Sequence, residues 1–264
     1  MPWGDRLAAG PRAAGPALAL VTLITVLCTA PARAQPAPGQ IDLRLAHERS
    51  QGRYGEASRT TIDQTTLAVR YHGTGWWTDL QLPWLRVRSP GGSGLPEANG
   101  AAGSQVQGLG DVWWRGRLAL READARGPAL DLVLKLKLAT GDADRGLGTG
   151  GRDVALQLDL DQTAAGAQWL AHLGWRHTGD PAGFRPYRNP WYGGVGVQRA
   201  LSPAWELGAG IDWREPIGRL GPLGEATVHL AWRDGARRWQ LHLTGGWERA
   251  SPDVALGLSW RQRF

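Results

Sequence analysis

Histidine, serine and carboxylate are the residues of this chain that could build a hydrolytic site, so their placement comes first. His172, His229 and His242 lie in alternating stretches, on the phase opposite the leucines, and Ser259 shares that phase. The lipid-facing catalytic sets of membrane-embedded lipases need serine and histidine on the apolar phase, and no His-x-Ser pair occurs in the chain. Asp142, Asp144, His177 and Asp180 fall in connecting stretches and have the residue types of a protease at a rim. Residue types without geometry are weak pointers, because acids in loops are usually just solvated. Asp142-Ala143-Asp144-Arg145-Gly146 begins like a calcium loop but lacks the third ligand and the closing glutamate. The glycine run Gly146–Gly151 lacks the Lys-Ser/Thr of a phosphate loop. No pattern demands a metal or an organic cofactor, and the chain is expected not to be an enzyme.

A larger set shares the histidines' phase. Arg115, Arg117, Lys135, Lys137, Asp159, Asp161, His172, Arg176, Tyr192, Gly194, Gly196, Gly208, Gly210, Asp212, His229 and His242 all oppose apolar neighbours. These residues would line an interior. Arg115 to Asp161 sit on three successive stretches and can pair across strands. The four glycines would leave the facing wall nearly bare. Two readings follow: a passage along the glycine wall, or arginines that cross the interior and seal it. Acids and bases nearly balance, so charge selectivity should be weak. Trp77, Trp113 and Tyr192 share the inward phase. They could stack on an aromatic solute or, more commonly, on arginine by cation–π contact.

The elements that position these residues are strands. Successive side chains of a strand point to opposite faces, and period-two alternation recurs in about twelve segments between Ile41 and Phe264. Leu130, Leu132, Leu134, Leu136 and Leu138 alternate with Asp131, Val133, Lys135 and Lys137. The last segment sets Val254, Leu256, Leu258, Trp260 and Phe264 against Gly257, Ser259, Arg261 and Arg263. No apolar stripe of helical period appears after residue 35.

Tryptophan placement separates a soluble sandwich from a membrane barrel. Trp76/Trp84, Trp205/Trp213 and Trp239/Trp247 bracket apolar faces at a spacing of eight residues. Eight residues at ~3.3 Å, tilted by ~40°, rise roughly 20 Å, close to the ~25 Å band between the aromatic girdles of outer-membrane barrels. Trp260 and Phe264 would join those girdles. The predicted fold is therefore all-β: a transmembrane up-and-down antiparallel barrel of about twelve strands. An even strand count places both termini on the periplasmic side, with short turns there and longer connections outside, such as Arg88–Gly108, Ala139–Arg152, Thr178–Pro190 and Glu215–Gly224.

The N-terminal stretch agrees. Arg6 and Arg12 precede an apolar run from Ala17 to Leu27 that is too short to span a bilayer. Ala32-Arg33-Ala34 places small residues for cleavage before Gln35. Residues 1–34 are expected to be a cleaved secretory signal and 35–264 the barrel. Cys28, the only cysteine, follows Leu27 rather than the small residue next to a lipidated cysteine. Removing Arg6, Arg12, Arg33 and Asp5 takes the formal charge from +6 to +4. Basic residues are spread among acids, which argues against nucleic acid as a partner.

Several motifs are similar to a family of proteobacterial outer-membrane proteins labelled transporter, or MetA-pathway of phenol degradation. They are Gly108-Leu109-Gly110-Asp111, Lys135-Leu136-Lys137-Leu138-Ala139-Thr140-Gly141, Gly146-Leu147-Gly148-Thr149-Gly150 with Asp153, Gly179-Asp180-Pro181, and Ser251-Pro252-Asp253. The resemblance runs from about Gly52 to Phe264 and departs at Ala139, where many members have proline. It implies uptake of small solutes, aromatic compounds among them.

The expected location is the bacterial outer membrane after Sec-type export. The expected partners are outer-membrane lipid and lipopolysaccharide, the barrel-assembly machinery through the terminal aromatic Phe264, and a small-molecule solute. An outer-membrane enzyme with a loop-borne site and a sealed structural or adhesive barrel remain the alternatives.

Overall fold

The structure is a computed structural model that describes residues 37–55, 58–89, 104–124, 127–179, 187–217 and 221–264. The expected leader, the middle of the Arg88–Gly108 connection, Asp180 and Pro181 lie outside these residues.

Thirteen strands form one antiparallel sheet: β1 (Ile41–Gly52), β2 (Thr60–Gly73), β3 (Trp76–Ser89), β4 (Ser104–Leu109), β5 (Val112–Arg121), β6 (Ala129–Leu138), β7 (Asp153–Ala164), β8 (Ala167–His177), β9 (Trp191–Ala200), β10 (Trp205–Arg214), β11 (Leu223–Asp234), β12 (Arg237–Gly246) and β13 (Val254–Arg263). Strands pair with their neighbours in chain order except β4 and β5, and β1 pairs with β13, so the sheet closes. The strands β4 and β5 both pair with β3, along different halves of it. Together they occupy one place in the wall, which makes this a twelve-stranded barrel, as the alternation predicts.

The break between β4 and β5 has a physical cause. Leu109 faces outward on odd phase, whereas Leu118 faces outward on even phase. The Gly110-Asp111 step resets the alternation, as a bulge does, and it leaves Asp111 buried. The strands β2 and β3 also extend further than the alternating cores at 67–71 and 76–84 suggest, because their ends turn Ile62, Leu85 and Val87 inward and Asp63, Arg86 and Arg88 outward, the reverse of the alternation below.

Register follows the apolar phase, since a slip by one residue would turn every leucine inward. Leu207, Leu230, Leu241 and Leu258 form a row across four strands, and Trp205, Trp232, Trp239 and Trp260 form the row beside it. These faces are open: Leu241 is 49% exposed and Leu256 53%. A surface so apolar and so extensive is stable only against lipid. Trp76, Trp84, Trp205, Trp213, Trp239 and Trp247 all lie exposed on this outer face, as does Phe264, and Trp260 is half-buried there beside Trp239, with the two ring centroids 6.4 Å apart.

One end of the barrel has tight turns. Ala165 and Gly166 both have positive φ, 53° and 72°, the signature of a type I′ hairpin that matches strand twist. The other end carries the longer connections. Wrapping twelve strands ~4.8 Å apart at a tilt of ~40° gives a backbone diameter of roughly 24 Å.

Substituting Leu243, 49% exposed and midway between Trp239 and Trp247, by arginine tests the lipid-facing assignment. Reversible unfolding in lipid vesicles should show a loss of about 2–4 kcal/mol. An unchanged denaturation midpoint would place Leu243 away from lipid.

Candidate functional site

Polar side chains fill the inward phase, and most of them are held along the wall. Arg115 grips Asp79 with two bonds, Nε to Oδ1 at 2.8 Å and Nη2 to Oδ2 at 2.7 Å, while Arg70 Nη2 reaches Oδ2 at 2.7 Å. Two guanidiniums on one carboxylate are the geometry in which a desolvated charge is satisfied. Trp77 lies against both, 3.7 Å from Arg70 and 5.7 Å from Arg115. Tyr192 receives Lys135 at 5.1 Å. Both rings thus take the cation–π option.

Arg117 donates to Asp131 at 2.5 Å, and Lys135 to Gln157 at 2.7 Å. Gln157 donates to Asp159 at 2.5 Å, and Gln168 bonds Asp161. Arg176 lies 3.8 Å from Asp153. The three candidate histidines lie near carboxylates: His172 with Asp212 at 3.5 Å, His229 with Glu206 at 3.9 Å, and His242 with Glu48 at 2.9 Å. Only the His242–Glu48 pair is a hydrogen bond that orients the imidazole, and no serine nucleophile joins any of the three. His177 is exposed and stacks on Trp175, and the Asp142 carboxylate accepts from Arg145 N in an ordinary turn.

The glycine wall differs from its predicted form. A Cβ on Gly194 would lie 2.5 Å from Asp212 Oδ1 and 2.7 Å from His172 Cε1, and one on Gly208 would lie 2.7 Å from His229 Nε2. These glycines make room for neighbouring histidines, so they do not leave the wall bare. Gly196 and Gly210 pair directly with each other, and there alone two adjacent strands both lack an inward side chain among the candidates named.

The pairing acids and bases were not legible as candidates. Asp42 holds His72 at 3.1 Å and Arg263 Nε at 2.8 Å beside the closing seam, and Glu206 holds Arg233 and Arg238, each at 2.7 Å. Each shares the inward phase with its strand, which was the available signal.

The family-like motifs converge on the long-loop end. The Asp111 carboxylate accepts from Gly141 N at 3.0 Å and Thr149 N at 3.1 Å. Lys137 lies 3.6 Å from Asp111 and 3.2 Å from Asp153, and it bonds the Thr149 hydroxyl. Gly179 N donates to Asp153 at 3.2 Å. A Cβ on Gly148 would sit 2.6 Å from Asp111 Oδ1. This clamp folds the 139–152 connection so that Leu147 packs with Tyr54, Ile62, Leu85, Val87 and Val106 in a small apolar core inside the mouth. Burial there pushes the Tyr54 hydroxyl above the ordinary phenol range, while it donates to Ser50 Oγ at 2.6 Å. The motifs therefore anchor a loop; no ion-binding cluster of three or more His, Cys, Asp or Glu occurs among the described residues.

No protein-family model matches the chain, and no curated protein matches it either. Solved structures do. The COG4313 outer membrane channel from Pseudomonas putida F1 aligns with 89% of this chain and 100% of its own, with a TM-score of 0.69 at 16% identity. The NanC porin aligns with 84% of this chain and 98% of its own, with a TM-score of 0.55 at 8% identity. The β domain of the Bordetella autotransporter BrkA covers 86% of this chain and 100% of its own, with a TM-score of 0.52 at 16% identity. At these identities the likeness establishes the outer-membrane barrel fold.

Replacing Asp111 by alanine removes the acceptor of two backbone N–H groups, a loss of about 1–3 kcal/mol for each group left unpaired. Trypsin should then cut at Arg145 about tenfold faster or more, with the barrel still intact. Equal cleavage rates in both proteins would show that the clamp does not hold the loop.

Proposed function

We propose that the protein is an outer-membrane channel through which small solutes diffuse, aromatic compounds among them. Its long-loop end faces outward, and its termini lie in the periplasm after export under the leader 1–34. The observation that carries this reading is the course of the interior ion pairs. Those described above join strands that are neighbours or one apart, as in His242–Glu48 across β13 and Arg238–Glu206 across β11. Such ion pairs run round the wall, and the longest reach is the cation–π contact of Lys135 on β6 with Tyr192 on β9.

Width supports the same reading. Eight strands enclose just enough space for their own side chains, and diameter grows roughly in proportion to strand number. Twelve strands therefore enclose a barrel about half as wide again. The lining mixes bases such as Arg115 and Lys135 with acids such as Asp79 and Glu206, most of them paired, so selection by charge should be weak. The resemblance to the MetA-pathway family and the channel and porin among the structural neighbours support a transport role. A catalytic reading lacks support from geometry, because the histidine–carboxylate pairs are not joined to a nucleophile.

The apolar core around Leu147 narrows the mouth from one side, and the burial of inward side chains such as Gln81, Lys135, Gln198, Arg238 and Thr244 is the best argument for a sealed barrel. Swelling of proteoliposomes containing the refolded mature chain decides between the two. A channel predicts swelling in glycine and in a pentose, slower in a disaccharide, with anionic and cationic solutes entering at comparable rates. A correctly folded barrel that gives no swelling with any of them would mean a sealed interior.

A further inference from the structure

On β1 to β4 the wall rises above the apolar band, and its outer face changes character. His47, Thr65, Trp84 and Leu109 form one row across these strands. Trp84, 51% exposed, and Leu109 mark the top of the greasy surface. The next outward row is Arg49, Asp63, Arg86 and Gln107, and the row above it is Gln51, Thr61, Arg88 and Gln105. The basic row thus begins one residue pair, ~7 Å along the strand, above the tryptophan.

Two guanidiniums pair with one acid there, Asp63, and Arg86 is its register partner on β3. Arg88 Nη1 lies 3.0 Å from Asp63 and Arg49 Nε 3.9 Å from it. Arg86 and Arg88 also donate through Nε to Gln107 and Gln105, at 3.1 and 3.0 Å, which presets the planes of both groups. The Arg49 side chain is 55% exposed, the Arg88 side chain 38%, and Arg86 is exposed. Arg145 reaches the same edge, donating to Gln107 O at 3.2 Å, and brings Asp142 and Asp144 on its own loop. On β9, on β10, just after β12 and on β13 the outward positions at this end are Trp191, Trp213, Trp247 and Val254. The three strand-borne arginines of the ladder all lie on β1 and β3.

We propose that this ladder binds the phosphorylated headgroup of lipopolysaccharide through its lipid A phosphates. Its height is that of a headgroup layer seated on the apolar band, its charge is opposite to phosphate, and every base in it is arginine, whose fork matches phosphate oxygens. The inference rests on the reading that the long-loop end faces outward. It does not need the barrel to conduct, so failure of the swelling assay would leave it standing.

The test is native mass spectrometry of the refolded full barrel titrated with diphosphoryl lipid A, with lipid A stripped of its phosphates, and with phosphatidylglycerol. The variant carries Arg49→Gln, Arg86→Gln and Arg88→Gln together; the control carries Arg199→Gln and Arg237→Gln, exposed at the short-turn end. Heat-modifiable mobility in gels verifies that each protein is folded. Wild type and control should retain diphosphoryl lipid A, and the triple variant should bind it about tenfold more weakly or worse. Equal binding by the triple variant would overturn the proposal. So would equal binding of dephosphorylated lipid A or phosphatidylglycerol by the wild type. Shielding of Arg145 from trypsin in intact cells that carry the Asp111→Ala variant, while other surface proteins are cut, would instead overturn the orientation on which it rests.

Discussion

A backbone amide inside hydrocarbon has no water to turn to, so every N–H and C=O in the band must find a partner within the sheet. This constraint makes the seam between β1 and β13 decisive. Ten residue pairs, from Asp42↔Arg263 to Gln51↔Val254, join the first and last strands, and Ile41 and Phe264 exchange both backbone bonds at the end of the ladder. Closure removes the sheet edges, and everything else about the interior follows from it. Once the sheet is closed, alternation has only two environments to choose between, lipid and lumen, and each strand must send its leucines to the first and its charges to the second.

Among the described residues, the ladder is incomplete beside β4, above the apolar band. The strand β6 pairs with β5 up to Leu138↔Val112 and goes no further, so the outer part of β4 has no strand on its far side. The 139–152 connection stands in for it. Arg145 bonds a β4 carbonyl, Asp111 takes two amides of the connection, and Lys137 is set between Asp111 and Asp153. Glycines at 141 and 148 allow this close approach, since a Cβ at either would meet atoms at 2.8 Å or nearer. A buried lysine between two carboxylates is stabilising only while all three remain in place, which gives the loop a defined position at the mouth.

Much of the barrel could be read from residue types because the alternation is strict where lipid demands it. Leu130 to Leu138 and Trp205 to Trp213 reveal their faces without help. The ends of β2 and β3 are less legible: above the band the polarity of the alternation reverses, as at Arg86-Val87-Arg88, where the valine is buried inward and the arginines face out. The interior is legible by phase but not by partner. His172, His229 and His242 could be placed inward, yet their carboxylates lie 40, 23 and 194 residues away in sequence. Gly194 and Gly208 were the misleading pair. Glycine on an inward phase looks like empty space, and only the cross-strand register reveals that His172 and His229 occupy it.

The central claim is that a closed twelve-stranded wall, with its charges paired along its own surface, leaves a path through its axis. Single-channel recording of the mature chain in a planar bilayer tests this most directly. The account predicts discrete, stable conductance steps that scale with salt concentration and show little preference between cations and anions. Heat-modifiable, correctly inserted protein that never conducts would contradict it.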